Sequence, residues 1–438
     1  MGSSKKSRYT SHRVIGRNFY NFSSVIKRVL PGNSGGEVVS PDFISTWDTT
    51  QAGSASDTVV LPLESSGTYN GTIDWGDGNS DSLSYANRTH VYASSGTYTI
   101  TISGDVFDAW RFRFTGDRRK ITDISNWGVF KFSSVGDAQV FSGCENLTIS
   151  APDAPNIGTS LDGAFYLCTS LTNEDFANWD TSAVTIFRSC FASCTNFNGT
   201  VNGWDTGLGT NFESMFNRAA SFNQPLDLFD MSNATNLKRM FLRATSFNQD
   251  LDSWDVRNVT DWYEFMRNAS AFNGSLAGWT VQGSFNELAF AIMNAFTGIG
   301  LDSWDTSGVT SFRSAFGANP VFNPDVSGWD VQNVTNMENT FGSDPSFDQD
   351  LSAWDITSVS SFTNFMSGTS ALSTANYDDL LTGWEATLQS TWSGGTGYPY
   401  TINIHFGGSQ YTLGGAAETA RTSLVSNFGW TITDGGGV

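Results

Sequence analysis

Charge and reactive side chains are scarce in this chain. Of 438 residues only 15% are charged, and there are just four cysteines and three histidines. No apolar run reaches the ~18 residues that a bilayer-spanning helix needs, so no transmembrane helix is expected. The histidines (His12, His90, His405) are far apart in the sequence. No G-x-S-x-G, H-E-x-x-H or phosphate-binding glycine loop accompanies them, so catalysis is not expected. Cys144, Cys168 and Cys194 share a position that later units fill with Ala219, Ala244 and Ala269, as a small buried site would. No CxxC pair offers a zinc site, and free structural thiols are expected. Basic residues are also few, 23 against 43 acidic, for a net charge of -20. Seven of them (Lys5, Lys6, Arg8, Arg13, Arg17, Lys27, Arg28) fall in residues 1–36, which hold no acid. The remainder is therefore more acidic still and should repel nucleic acid and anionic surfaces.

What the chain has in abundance is repetition. An aromatic residue recurs every 25 residues at Trp179, Trp204, Phe229, Trp254, Trp279, Trp304, Trp329 and Trp354. Three positions earlier stand Phe176, Val201, Leu226, Leu251, Leu276, Leu301, Val326 and Leu351. Two further columns, mostly Phe, follow the aromatic by 12 and 18 positions, as Phe241 and Phe247 do in one unit. Two less regular units precede these, around 138–149 and 163–172, for about ten units in all. A period of 25 lies within the leucine-rich-repeat range. Alternation at Trp254 and Val256 predicts a short strand, and the 3–4-residue spacing of Trp262, Phe265, Met266 and Ala269 predicts a short helix opposite it. One unit cannot bury these faces alone, whereas stacked units can. The fold class expected is a leucine-rich-repeat-like solenoid, with a short strand plus a short helix in each unit.

The flanks read differently. Residues 58–104 are short β-runs between Gly, Asn and Asp turns, as in an antiparallel β-sandwich. Trp75, Gly76, Asp77, Gly78, His90, Tyr92, Gly96 and Tyr98 resemble the PKD-like sandwich pattern, which implies a structural role for them. Beyond 370 the register breaks. "YDDLLTGW" and "AAETARTSLVSNFGW" predict helices with "YTINIHF" as a strand between them, an α/β cap over the last hydrophobic face. The chain therefore divides into a basic arm and linker (1–42), the sandwich module (43–115), the repeat array (116–370) and the cap (371–438). "FISTWDTT", "WGDG", the "LDSWDVxNVT" units and the terminal "GWTITDGG" together resemble BspA-type leucine-rich-repeat surface proteins over about residues 43–438. That resemblance implies an adhesive or structural surface protein with no assigned catalysis.

Candidate sites are few. In the arm, Lys5, Lys6, Arg8, Arg13, Arg17, Lys27 and Arg28 alternate with Phe19, Tyr20 and Phe22, and a Gly-rich linker follows. This pattern suits docking into a partner, another virion or surface protein, better than contact with nucleic acid. The Asp column (Asp180, Asp205, Asp230, Asp255, Asp305, Asp330, Asp355) admits two readings. Stacked carboxylates could bind calcium, or each Asp could accept backbone N–H groups of its own turn. The second is preferred, and no cofactor is expected. The Trp column alternates with apolar positions and accepts Phe229, which points to core packing rather than a sugar platform. Trp262 and Tyr263 stand between columns as candidate contact residues for a host protein or glycan. Sequons at Asn258 and Asn333 recur with the repeat and are read as unmodified. The first residues lack the apolar core and cleavage site of a secretory signal. The reading preferred is thus a phage virion component for decoration or host recognition, with a bacterial cell-surface adhesin second. A glycan-processing enzyme built on an acidic pair comes third.

Overall fold

The computed structural model describes residues 42–132, 138–285, 288–369 and 372–438. Strand β1 (Phe43–Asp48) pairs antiparallel with β6 (Thr97–Phe107) on one side and with β7 (Ile121–Asn126) on the other. With β3 (Tyr69–Asp74), β4 (Ser80–Ser82) and β8 (Thr148–Ile149) they form one six-stranded sheet, ordered β4-β3-β6-β1-β7-β8. A separate antiparallel pair joins β2 (Thr58–Val60) to β5 (Thr89–Val91). The "WGDG" turn belongs here. Gly76 and Gly78 have φ of 78° and 91°, and a Cβ on Gly76 would lie 2.3 Å from the Thr99 carbonyl oxygen. His90 stacks on Trp75 at 4.8 Å and contacts Asp77 at 2.9 Å, while the Tyr92 hydroxyl donates to the Trp75 carbonyl.

Strand β7 changes the pairing sense. It is antiparallel to β1 but parallel to β8, and from there successive turns of chain stack in parallel. Single bridges link Ser160 to Ile186, Ile186 to Asn211, Asn211 to Asn236 and Asn236 to Asp261. β9 (Thr280–Ser284) and β10 (Asp305–Ser311) form a longer parallel pair in the same stack. The stack ends on helix α1 (Thr374–Thr391), strand β11 (Asn403–His405), helix α2 (Ala416–Ser426) and strand β12 (Thr431–Thr433), with β11 and β12 parallel. The helices and strand fall where the cap sequence predicted them. Ser373 caps α1, its side chain accepting the Asn376 N–H.

Within a unit the structure corrects two expectations. Trp254 and Val256 are buried on alternate positions, but no strand forms there, and the pairing residue is Asp261. The helix expected over 262–269 is a run of turns, although Trp262, Phe265, Met266 and Ala269 are all fully buried as their spacing required. The cause is where the backbone donors go. In the unit of Trp204, the N–H groups of Phe212, Ser214, Phe216 and Arg218 donate to the next rung, to the carbonyls of Asn236, Lys238, Met240 and Leu242. Between them Met215, Asn217 and Ala219 donate three residues back. An α-helix would keep every donor within itself. Alternation of this kind uses left-handed residues, and Ser214 (φ 58°), Arg218 (φ 60°), Arg239 (φ 55°) and Arg243 (φ 60°) supply them. Each such non-glycine residue costs roughly 1–2 kcal/mol, which the inter-rung bonds must offset.

Side-chain ladders reinforce the stack. The Trp Nε1–H of one rung donates to the carbonyl of the Phe/Leu/Val column 28 residues earlier: Trp204 to Phe176 (2.7 Å), Trp254 to Leu226 (2.9 Å), Trp279 to Leu251 (2.9 Å), Trp304 to Leu276 (2.8 Å), Trp329 to Leu301 (2.8 Å) and Trp354 to Val326 (3.0 Å). Trp384 of α1 repeats the contact on Leu351 at 2.8 Å, so the cap closes the ladder. Asn Oδ1 atoms form a second ladder, Asn198, Asn223 and Asn248 each accepting the N–H one rung on. Phe rings stack at 5.9 Å along Phe197, Phe222, Phe247 and Phe272. One hydrophobic core runs unbroken from Phe43 to Trp430.

Replacing Trp304 by Phe keeps most of the ring but strands the Leu276 carbonyl, so a loss of about 1–3 kcal/mol is expected in denaturant unfolding. The converse change, Phe229→Trp, should raise Tm by giving that rung the missing donor. A Trp304→Phe variant as stable as the parent would refute the indole bond as a source of stability.

Candidate ligand-binding wall

The basic arm (Lys5, Lys6, Arg8, Arg13, Arg17, Phe19, Tyr20, Phe22, Lys27, Arg28) lies outside the described residues. The Asp column is described and is engaged by its own turns. Asp180, Asp205, Asp230, Asp255, Asp305, Asp330 and Asp355 each accept, through Oδ1, the N–H two residues on, at 2.9–3.3 Å. For Asp180, Asp230 and Asp305 a serine hydroxyl and that N–H hold the carboxyl below its ordinary range. No group of three or more His, Cys, Asp or Glu side chains placed to share a metal ion occurs among the described residues. Asn258 and Asn333, the sequon asparagines, donate to the Ser232 and Ser307 carbonyls of the preceding rung.

The column tryptophans are buried, from 1% exposure at Trp354 to 5% at Trp304. Trp262 is fully buried too, stacked on Phe285 at 4.9 Å, which removes it as a contact residue. Tyr263 is half-buried, its ring covered by the Arg239 guanidinium at 4.7 Å and the Lys238 ammonium at 5.3 Å.

The cysteine column is buried, and all four thiols are free. Burial pushes them well above the usual thiol range. Its polar members share one task. Cys168, Cys194, Asn319 and Thr369 donate to the carbonyls of Phe141, Phe165, Phe290 and Phe341 on the preceding rung. Asp344 occupies the same column, fully buried, with the Asn319 N–H on Oδ1 at 2.6 Å and no partner on Oδ2. Burial pushes its carboxyl up to about 8, so it is protonated at neutral pH.

Three accessible concavities lie on the wall of turns. A cleft of about 430 Å³ is lined by Phe114, Tyr166, Arg188 and Glu213, with Arg188 held to Asp162 by two bonds of 2.9 and 2.6 Å. Further along, a cleft of about 380 Å³ is lined by small and polar residues including Gly317, Gly342 and Asn364. Between them is a smaller one of about 270 Å³, lined by Asn217, Arg218, Arg239, Leu242, Arg243, Glu264 and Arg267. Glu264 is 6% exposed; Arg239 donates to it at 2.7 Å and Arg267 donates to its other oxygen. Burial raises that carboxyl, but the two guanidinium donors more than offset this and hold it below its ordinary range. These four arginines were not singled out from the sequence. The available signal was their breach of the repeat, since other rungs place Ser314, Ala318 and Ser343 where Arg239, Arg218 and Arg243 stand.

Stacked rungs with a repeating core and a changing outer wall define a repeat protein whose surface varies along its length. The family model described as "Mycoplasma protein of unknown function, DUF285" matches residues 159–279 and 285–387, more than half of the chain. The chain belongs to that family. No curated protein and no solved structure matches it significantly.

The protonated Asp344 makes stability pH-dependent. Its folded pKa lies above its unfolded one, so its contribution is fully present below about pH 4 and is lost as pH rises toward about 8. Asp344→Asn, which cannot ionise, should melt higher than the parent at pH 8 and flatten this slope. Parallel melting curves from pH 4 to 8 in the two proteins would contradict it.

Proposed function

We propose that this is a non-enzymatic recognition or adhesive protein displayed on the surface of a particle, with a leucine-rich-repeat-like solenoid as its body. The observation that carries this reading is the division of labour between positions. Trp, Phe and Leu columns repeat and are buried, whereas the outward wall changes from rung to rung: Arg188, Glu213, Lys238, Tyr263, Arg313 and Glu338 occupy one column. A scaffold that repeats its core and varies its face suits binding, because each rung can change contacts without changing the fold. Family membership and the BspA-type resemblance support a surface setting. A phage virion is the first setting, with residues 1–36 as the anchor docking on another virion protein and the body facing a host protein or glycan. The basic, aromatic-rich arm and its Gly-rich linker support a tether of that kind. The second setting is the surface of a bacterial cell, which the family's description as a Mycoplasma protein favours.

Fractionation of lysates followed by mass spectrometry separates the two. Under the first reading the chain co-purifies with virions, and deletion of residues 1–36 abolishes its incorporation. Recovery from cell envelopes with none in particles establishes the second instead. Release of products from polysaccharides incubated with the protein would overturn the non-enzymatic reading altogether.

A further inference from the structure

The arginine cleft of the turn wall is at odds with the rest of the body. Outside the arm, 16 basic residues face 43 acidic ones, yet here four guanidinium groups surround a single carboxylate. Glu264 accounts for only two of them, Arg239 and Arg267. The guanidinium groups of Arg218 and Arg243 are exposed and carry no hydrogen bond or ion pair among the described residues. The Nε of Arg267 and the Oδ1 of Asn217 are buried in the same cleft without partners. Buried polar atoms are ordinarily satisfied, so two orphans at one site mark a place for a ligand or ordered water. Arg218 and Arg243 also hold left-handed φ values of 60°, a conformation that arginine does not favour. The backbone fixes their aim: the Arg218 N–H donates to Leu242 and the Arg243 N–H to Arg267, setting both on adjacent rungs of one wall.

We propose that this cleft binds a tetrahedral oxyanion, a sulfate or phosphate monoester, carried on a carbohydrate. Planar guanidinium forks recognise such groups with two parallel N–H···O bonds each. Arg218 and Arg243 supply the unpaired forks. Arg239 and Arg267 keep the site positive and are held in place by Glu264, and the Tyr263 ring packs against the Arg239 guanidinium. The acidic surroundings argue against nucleic acid, whose charged backbone would have to track across them, and favour an isolated charge on an otherwise neutral chain. This deepens the recognition reading by naming a ligand chemistry. It is measured in solution without any particle, so it can fail or stand apart from the fractionation result.

The test is isothermal titration of the full chain with glucose 6-sulfate, glucose 6-phosphate and glucose, and with a single-stranded oligonucleotide. One or both monoesters should bind at one site and glucose should not; the ratio of the two assigns sulfate or phosphate. Arg218→Asn and Arg243→Asn should each weaken binding about tenfold or more. Asparagine tolerates positive φ, so an unchanged Tm confirms that these variants fold. Because the arm is also basic, Lys27→Ser/Arg28→Ser in the full chain should leave monoester affinity unchanged. Absence of monoester binding, affinity untouched by the cleft substitutions, loss on substitution in the arm, or preference for the oligonucleotide would each overturn the proposal.

Discussion

A turn of about 25 residues cannot satisfy its own backbone, and the hydrogen bonds it hands to the next turn are what the rest of this structure depends on. Along the wall every second N–H crosses to the following rung, and the intervening ones close short turns. That alternation dictates left-handed conformations at positions such as Ser214 and Arg218, rules out an α-helix along that wall, and fixes which side chains face inward. It also makes both ends of the stack a problem. At the start β7 solves it by pairing antiparallel with β1 and parallel with β8, so the sheet of the N-terminal module serves as the first template. At the finish Ile404 bridges to Phe362, and Trp384 gives its indole N–H to Leu351.

Once the backbone is committed in this way, side chains divide by position. Those pointing in form ladders, and each ladder rewards one chemistry. The aromatic column uses Trp because the indole both fills space and caps a carbonyl of the rung behind. Phe229 fills the space alone. The small buried column takes Cys, Ala, Asn, Asp or Thr, and its donors reach back to the same Phe carbonyls. Asp344 stands in the same column but only accepts, from the Asn319 N–H, and burial keeps it protonated because an ionised carboxylate there would be a buried charge without a counter-ion. The side chains pointing out answer to no such rule, and there the arginines gather against the charge of the whole body.

The sequence carried the period, the core columns, the cap elements and the role of the Asp column, because a side chain repeated every 25 residues reports its own burial. Leu251, Trp254 and Val256 are core residues as their alternation requires, and Asp255 accepts the Arg257 N–H as an Asx residue should. It misled on the backbone path over residues 262–269, because spacing of 3–4 residues looks the same for a helix as for these turns.

Periodicity alone therefore determined that the chain would stack and which residues would be inside, since apolar burial depends only on the repeat. It did not determine the path between those residues, because strand, helix and alternating turns can bury the same columns. Hydrogen bonding between rungs made that choice. The same long-range pairing decided the cleft: Arg218, Arg239, Arg243 and Arg267 come from three successive units, and only the stacking of one unit on the next puts them around a single space.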